Sequence, residues 1–219
     1  MFNRIISNYC YGAKFAPFVP LAWEVSNRVA KDFGIVKEPL SEFMQKEFQN
    51  NIPWQLDKLL PEQGMGRLAQ RQILLFTSNQ LTPLFEEFIY STVIQYGLFT
   101  VVVPKILTCI RPSKPAECNP REYKLFQNPL TQKVCRIVAS SLIFAMAHYG
   151  ATFENEDAYK GHSMETLSDM NWMQVTGNMG AGLVYRTVYE LAGQNLFAAW
   201  GTHAVYNYMY DLMAMDFWY

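Results

Sequence analysis

Four long stretches of this 219-residue chain carry almost no charge, and they constrain its fold more than any other feature. In the first stretch the only charged residues are Glu86 and Glu87, and the other three stretches have none. They are 33, 17, 16 and 20 residues long: Gln72–Pro104, Ile137–Phe153, Met170–Tyr185 and Leu191–Tyr210. A helix needs about 20 apolar residues, and at least about 17, to cross a hydrocarbon core. Two stretches meet this length comfortably, and two lie near its lower limit.

Composition alone does not separate a membrane protein from a soluble one. The chain is 50% hydrophobic and 17% charged, and a soluble protein with buried helices remains an alternative. The loop charges favour a membrane. Lys105–Arg136 holds seven basic and two acidic residues, whereas Glu154–Asp169 holds five acidic and one basic. Because basic loops stay on the cytoplasmic side, the first loop is predicted to face the cytoplasm and the second the opposite side.

The first 71 residues have a different character. They hold nine basic and seven acidic residues, and we predict an N-terminal helical, amphipathic extension over 1–71 and a core over 72–219. Asn8–Asn27 is aromatic and apolar, with prolines that suggest a re-entrant or interfacial segment. Pro39–Asn51 has the spacing of an amphipathic helix. No secretory signal is expected at the N-terminus.

The predicted fold class is all-α. Alternation typical of a strand is suggested only over Thr100–Val103, inside the first charge-poor stretch. We therefore predict a multi-helix membrane bundle whose core of about four helices carries the functional motifs. The sequence has no basic stripe of the kind that binds nucleic acid, so nucleic acid is not an expected partner. The lipid bilayer is an expected partner, and the expected location is integral and multi-pass.

Two adjacent carboxylates lie in the first stretch. Thr82 and Pro83 are typical of a helix start, with Thr82 as N-cap and Pro83 in the first turn. Glu86 and Glu87 then follow about one turn into the helix. Because consecutive helical residues point about 100° apart, the two carboxylates cannot face one site equally. One is expected to face a functional site, and the other is expected to pair with a neighbouring group.

Two histidines lie in charge-free stretches. Phe144 and His148 are four residues apart and share a helix face, as do His203 and Asn207. An ionisable side chain in an apolar stretch usually has a function, although a hydrogen-bonded core histidine is the simpler alternative. His162 lies in the acidic loop and is expected on the surface.

The polar groups of these motifs allow three kinds of chemistry. A carboxylate near an imidazole can take a proton from water. A histidine and an amide can donate hydrogen bonds to an oxyanion. Glu86, His148 and His203 are also suitable ligands for a divalent metal such as zinc, although no cofactor is required by the sequence.

The order and flanks of these motifs resemble the CPBP family of intramembrane proteases, which includes CAAX prenyl endopeptidases and bacteriocin-processing (Abi) proteins. That family has an EExxxR motif, then FxxxH, then HxxxN, each on its own membrane helix. Here they correspond to PLFEEFIYS, SSLIFAMAH and the segment ending in GTHAVYN. The resemblance covers about Leu81–Asp211.

The resemblance implies a role for each matching residue. Glu86 is the general base that activates the attacking water, with assistance from His148, and Glu87 supports it. His203 and Asn207 stabilise the oxyanion. Phe144 packs beside the site and supports the substrate pocket.

One position departs from the family pattern. Ser91 occupies the place of the arginine in the first motif, and Arg186 is a possible substitute from another part of the chain.

The resemblance as a whole implies a membrane endopeptidase that uses a glutamate-activated water, or a metalloprotease on the same scaffold. Its expected substrate is a peptide or protein in the membrane. The alternatives are an inactive relative that binds peptides or partner proteins, and a soluble helical metal-binding protein.

Overall fold

The computed structural model describes residues 2–36, 73, 75–110, 128–148 and 172–216, which contain six helices. The helices are α1 Phe2–Ala13, α2 Phe18–Asp32, α3 over residues 77–110, α4 Pro129–Ala147, α5 Trp172–Leu191 and α6 Leu196–Asp216. Within these ranges there is no β-strand, so the predicted all-α class is confirmed. The last four helices correspond to the four charge-poor stretches.

The third helix is continuous but alternates between π-helical and α-helical sections. Its four sections are Thr77–Leu81, Thr82–Glu87, Phe88–Val102 and Val103–Ile110. The first and third are π-helical, so that their backbone bonds run to the fifth residue rather than the fourth. The strand suggested over residues 100–103 is therefore wrong, because this segment is helical throughout.

The predicted start of this helix at Thr82 is also wrong. Thr82 has helical dihedral angles, and its N–H donates to the carbonyl of Thr77. Proline removes one backbone donor and crowds the preceding turn of an α-helix. The wide turn directly before Pro83 gives the ring more room, so the helix continues through it.

The fourth helix has a strong N-cap. The side-chain oxygen of Asn128 accepts a bond of 2.9 Å from the N–H of Leu130, and Pro129 occupies the first turn, where its missing N–H is not needed. The helix ends at Ala147, so His148 follows its last turn directly.

A four-residue turn folds α6 back onto α5. Gly193 and Gln194 adopt left-handed conformations with φ of 70° and 64°. Glycine adopts this conformation without steric cost, and it is typical of helix C-termini. The side chain of Asn195 then caps α6 by accepting a bond of 3.0 Å from the N–H of Phe197. This helical hairpin sets the position of His203 against α5.

The fifth helix is the centre of the bundle. It packs against α2, α4 and α6 and also touches α3, while α3 lies between α4 and α6. The outer helices present apolar side chains to the surroundings. Along α4 these recur every fourth residue: Leu130, Val134, Val138, Leu142 and Met146. Two helical segments, Thr77–Ile106 and Pro129–Ala147, are long and apolar enough to cross a membrane.

The N-terminal helices are part of the same packed body. Between α1 and α6 the contact is backbone to backbone, since a Cβ on Gly12 would lie 1.8 Å from a carbonyl oxygen of α6. A Cβ on Gly201 would lie 2.2 Å from the oxygen of Tyr9. The hydroxyl of Thr202 donates to the oxygen of Gly12 at 2.8 Å. This crossing therefore fixes α1 one residue away from His203.

The second helix packs in a similar way on α5. Val19 is fully buried in a cluster with Phe144, Ala181 and Tyr185. The expected apolar entry segment is thus two helices, α1 and α2, separated by residues 14–17. Pro17 immediately precedes α2, and Pro20 lies in its first turn, where proline is tolerated. The predicted division at residue 71 stays a prediction, and α1 and α2 pack directly on helices of the core.

Gly201→Ala is expected to lower the free energy of unfolding by about 1–3 kcal/mol, because the new methyl group meets backbone that cannot move independently. Gly97→Ala is the matched control. Its Cβ would lie 3.5 Å from the oxygen of Thr92, an ordinary contact. It should be neutral or stabilising by up to about 1 kcal/mol. Thermal unfolding in detergent measures both, and equal stability of the two variants would contradict the tight crossing.

Several predictions concern residues outside the described ranges. These are the amphipathic helix over Pro39–Asn51, the surface position of His162, the acidic loop and the middle of the basic loop, whose two ends are helical and belong to α3 and α4.

Candidate active site

Three helices bring Glu86, His148 and His203 together. Glu86 comes from α3, His148 follows the end of α4, and His203 lies in α6. The Glu86 Oε2 atom is 3.6 Å from Nε2 of His148 and 3.7 Å from Nε2 of His203. The side chains of Glu86 and His148 are each 25% exposed, whereas that of His203 is 7% exposed. The cluster is therefore sheltered, yet it remains open on the side of Glu86.

Each imidazole is oriented by the nitrogen that points away from Glu86. The Nδ1 atom of His148 is 2.7 Å from the carbonyl oxygen of Phe144, and that of His203 is 3.1 Å from Oε1 of Glu87. A carbonyl and an ionised carboxylate can only accept, so both Nδ1 atoms carry hydrogen. The Nε2 atom of each ring consequently faces Glu86, where it accepts when the ring is neutral and donates when it is charged.

The cluster has more acceptors than donors when both rings are neutral. One carboxylate oxygen and two imidazole lone pairs then point at a common region. Their separations of 3.6 and 3.7 Å exceed those of direct hydrogen bonds. Polar groups at such separations are commonly bridged by water. This geometry suits a water molecule, or an added proton, shared by the three side chains.

Glu87 points away from this region and is fully buried. Its Oε2 atom accepts from the Arg186 guanidinium and, at 2.6 Å, from the hydroxyl of Ser91. Its Oε1 atom lies beside His203. The two adjacent carboxylates thus have different surroundings, in the manner that the helical geometry predicted. Glu86 faces the open cluster, and Glu87 is enclosed by polar partners.

Aromatic rings enclose the two histidines. Tyr185 stacks on His203 with ring centroids 4.2 Å apart and planes inclined by 14°. Phe144 lies edge-on to His203 at 6.0 Å and contacts the ring of His148 at 4.3 Å. Tyr90 completes this wall, with its ring 5.2 Å from that of Phe144. The imidazoles therefore have little freedom to rotate.

Asn207 lies one turn beyond His203 in α6 and is partly exposed. The described residues provide no hydrogen bond that fixes its amide. Its place on the same helix side as His203 is the one that the sequence spacing predicts. Its role in holding an oxyanion stays a prediction.

The three residues predicted as metal ligands supply one carboxylate and two imidazole nitrogens, which are donors that zinc accepts. In the described ranges, no group of three or more His, Cys, Asp or Glu side chains has the arrangement of a metal site. The divalent-metal prediction for Glu86, His148 and His203 stays a prediction.

Two functional neighbours were not among the predicted site residues. Tyr185 stacks on His203, and Arg186 binds Glu87. Both come from α5. Arg186 was named from the sequence as a possible substitute for the arginine that the first motif lacks, whereas nothing in the sequence distinguishes Tyr185 from the other tyrosines.

Residues 70–209 match the model of the family described as type II CAAX prenyl endopeptidase Rce1-like. This match covers well over half of the chain, and the protein belongs to this membrane-embedded family. The resemblance seen in the sequence motifs is thereby confirmed. The matched region includes α3, α4, α5 and the first two thirds of α6, but neither α1 nor α2.

Comparison with curated proteins gave no match, and comparison with solved structures gave none either.

Proposed function

We propose that this protein is an endopeptidase that hydrolyses peptide bonds at or within the bilayer, using a water molecule activated by Glu86. The observation that supports it most is the convergence of Glu86 with the Nε2 atoms of two histidines from different helices. Both rings are held from the opposite nitrogen, so the arrangement is organised in advance. Such preorganisation is what general acid–base catalysis requires.

The first step is attack by water on the scissile carbonyl. Glu86 removes one proton from the water while the oxygen bonds to the carbonyl carbon, and His148 orients the water through Nε2. A tetrahedral intermediate with a negatively charged oxygen results. In the second step the C–N bond breaks, and the proton held by Glu86 passes to the leaving nitrogen. The products are a new carboxylic acid and a new amine, and transfer of the remaining proton from the acid to the amine gives a carboxylate and an ammonium group.

The oxyanion of the intermediate is assigned to His203 and Asn207. Because Nδ1 of His203 donates to Glu87, its Nε2 can donate to an oxyanion only when the ring carries two protons. The carboxylates of Glu86 and Glu87 both lie beside this ring, one near each of its nitrogens. The amide of Asn207 supplies the second donor. Each well-placed donor is worth about 3–4 kcal/mol of transition-state stabilisation.

We assign the catalytic helices to the membrane as a multi-pass bundle. The segments Thr77–Ile106 and Pro129–Ala147 supply two candidate spans. The helices α5 and α6 are 20 and 21 residues long, which suffices to cross, and they are enclosed by their neighbours. Polar side chains in a spanning helix normally face the interior of the bundle, as Glu87 and Arg186 do here.

A peptide ending in a CAAX motif is the first substrate class to test, because the family description names it. We expect the purified protein in lipid nanodiscs to cleave at least one quenched fluorescent CAAX peptide. The panel contains one sequence in farnesylated, geranylgeranylated and unmodified forms. Mass spectrometry of the products identifies the cleaved bond.

The panel also separates the proposal from its rival. An unmodified transmembrane peptide is included because the substrate need not carry a prenyl group. Cleavage of any peptide by the wild type, and its loss in Glu86→Gln, supports the protease. Binding of the same peptides without cleavage would instead indicate an inactive family member that recognises peptides.

A further inference from the structure

We propose that Arg186 is a positioning residue for the hydrolysis: its guanidinium holds Glu87, and Glu87 holds the imidazole of His203. The inference rests on the proposed function for its catalytic consequence. Arg186 lies in α5, outside the three motifs. It would act through two other side chains and would not touch the substrate.

The contact between Arg186 and Glu87 is completely enclosed. Both side chains are 0% exposed, and the Nη1 atom of Arg186 donates to Oε2 of Glu87. The same Nη1 donates to the hydroxyl of Ser91, which in turn donates to Oε2 of Glu87. A carboxylate buried to this extent stays ionised only if it is paired and hydrogen-bonded. Within the described part of the chain, Arg186 is the arginine that pairs with Glu87, and the His203 imidazole lies at the other carboxylate oxygen.

The state of Glu87 determines which nitrogen of His203 carries hydrogen. An ionised Glu87 can only accept, so Nδ1 of His203 must donate to it across 3.1 Å. A protonated Glu87 could donate to Nδ1 instead. The hydrogen of a neutral His203 ring would then lie on Nε2, opposite to the arrangement described above. Arg186 thus controls the tautomer of His203 and, with it, whether the Nε2 atom that faces Glu86 carries hydrogen.

Arg186 is itself held by contacts that do not involve Glu87. Its guanidinium carbon lies 5.2 Å from the ring centre of Phe144 and 5.7 Å from that of Tyr90. Arginine is attracted to aromatic faces at such distances. Its carbonyl oxygen accepts from Nε2 of Gln95 at 3.4 Å. These contacts place the guanidinium beside the aromatic rings, and its Nη1 atom reaches Glu87 from there, while its Nε and Nη2 atoms have no hydrogen-bond partner among the described residues.

The departure at Ser91 has a physical explanation in this arrangement. Ser91 lies one turn after Glu87, and its small side chain leaves the space into which the Arg186 guanidinium reaches. The positive charge next to Glu87 comes from α5 instead of from α3. Adding an arginine by Ser91→Arg alone would place two guanidinium groups in one buried space, so it is expected to lower stability and turnover.

Moving the arginine between helices tests the proposal. In Arg186→Met we expect kcat to fall about 10- to 100-fold, the usual effect of removing a residue that orients a catalytic group. KM for the CAAX peptide should change little, because Arg186 does not bind substrate. The double variant Ser91→Arg/Arg186→Ser restores a cation beside Glu87 from α3 and should recover a large part of the lost kcat.

The double variant Glu87→Gln/Arg186→Met separates the loss of His203 positioning from the effect of leaving a buried charge unpaired. It leaves no unpaired buried charge, so it should fold even if Arg186→Met does not. Under the proposal its kcat stays low, because a glutamine does not fix the tautomer of His203 as a carboxylate does. Turnover at the wild-type level in this variant would overturn the proposal.

Arg136→Met is the matched control, because it removes another arginine from an ion pair with a buried glutamate. Arg136 pairs with Glu190 at 3.3 Å, and Glu190 keeps Lys133 and Gln95 as partners after the change. We expect nearly unchanged kcat in this variant. A loss equal to that of Arg186→Met would show a general effect of removing buried charge and would overturn the proposal.

Which ring nitrogen of His203 carries hydrogen can be measured by ¹⁵N NMR without any substrate. The chain has three histidines, so the ¹⁵N signals of His203 can be assigned by comparison with a His203→Gln sample. The wild type should show hydrogen on Nδ1, and Arg186→Met should show a change in this population. An unchanged population would contradict the proposed role of Arg186. Failure of the wild type to cleave any peptide would contradict the proposed function. The spectroscopic measurement would still test whether Arg186 sets the tautomer of His203.

Discussion

Glu86→Gln is expected to abolish detectable peptide cleavage and to leave the fold intact. The amide keeps the size of the carboxylate but cannot take a proton from water. General-base assistance contributes about 10²- to 10⁴-fold to a rate. The side chain is 25% exposed and makes no direct hydrogen bond to either histidine at 3.6 and 3.7 Å, so little native structure depends on its charge.

Cleavage of the best CAAX peptide and thermal unfolding should be measured on the same preparation. Glu24→Gln is a suitable control, because Glu24 is an acidic residue of α2 on the exterior, paired with Arg28. It should keep full activity. Cleavage by Glu86→Gln at the rate of this control would contradict the role of Glu86 as general base.

Glu87→Leu is expected to lower the free energy of unfolding by about 3–5 kcal/mol, because it leaves a buried guanidinium without its carboxylate. This loss is larger than that expected for Glu86→Gln, although the two residues are adjacent in the sequence. Glu87 accepts bonds from Arg186 and Ser91 and also contacts His203, and all of these partners are buried. The structure therefore separates the pair into one carboxylate that faces the open cluster and one that is enclosed by polar partners.

A double-mutant cycle with Arg186→Met measures the interaction. Replacing both members of a buried pair by apolar residues is often close to neutral, so Glu87→Leu/Arg186→Met should be more stable than either single variant. Glu24→Leu on the surface should cost less than about 1 kcal/mol. Strictly additive losses for Glu87 and Arg186 would show that the two side chains do not stabilise each other.

The sequence predicts the fold class and the helix faces that carry the site residues, because both depend on local patterns. Charge-poor stretches predict helices in the membrane, and the spacing in Phe144–His148 and His203–Asn207 predicts shared helix faces. The divergence of Glu86 and Glu87 follows from helical geometry in the same way. These features need only the order of residues along one helix.

The remaining features depend on contacts between distant parts of the chain. The pairing of Glu87 with Arg186 joins residues 99 positions apart, and its likelihood cannot be judged from either flank. The start of α3 was misplaced because Thr82 and Pro83 are typical of a helix start, while the wide turn that carries the helix through them has no sequence signature. The packing of α1 on α6 depends on Gly12 and Gly201, two glycines that are unremarkable in the sequence.

The crossing of α1 on α6 has a consequence for biosynthesis. The first helix is synthesised well before α6, on which it packs at Gly201. The third helix, with Glu87, is also synthesised before the helices that carry Arg186 and His203, and an unpaired carboxylate is costly in lipid. We therefore expect the earlier helices to stay loosely packed until α5 and α6 have been synthesised. The contacts of Glu87 and the packing of α1 then form together.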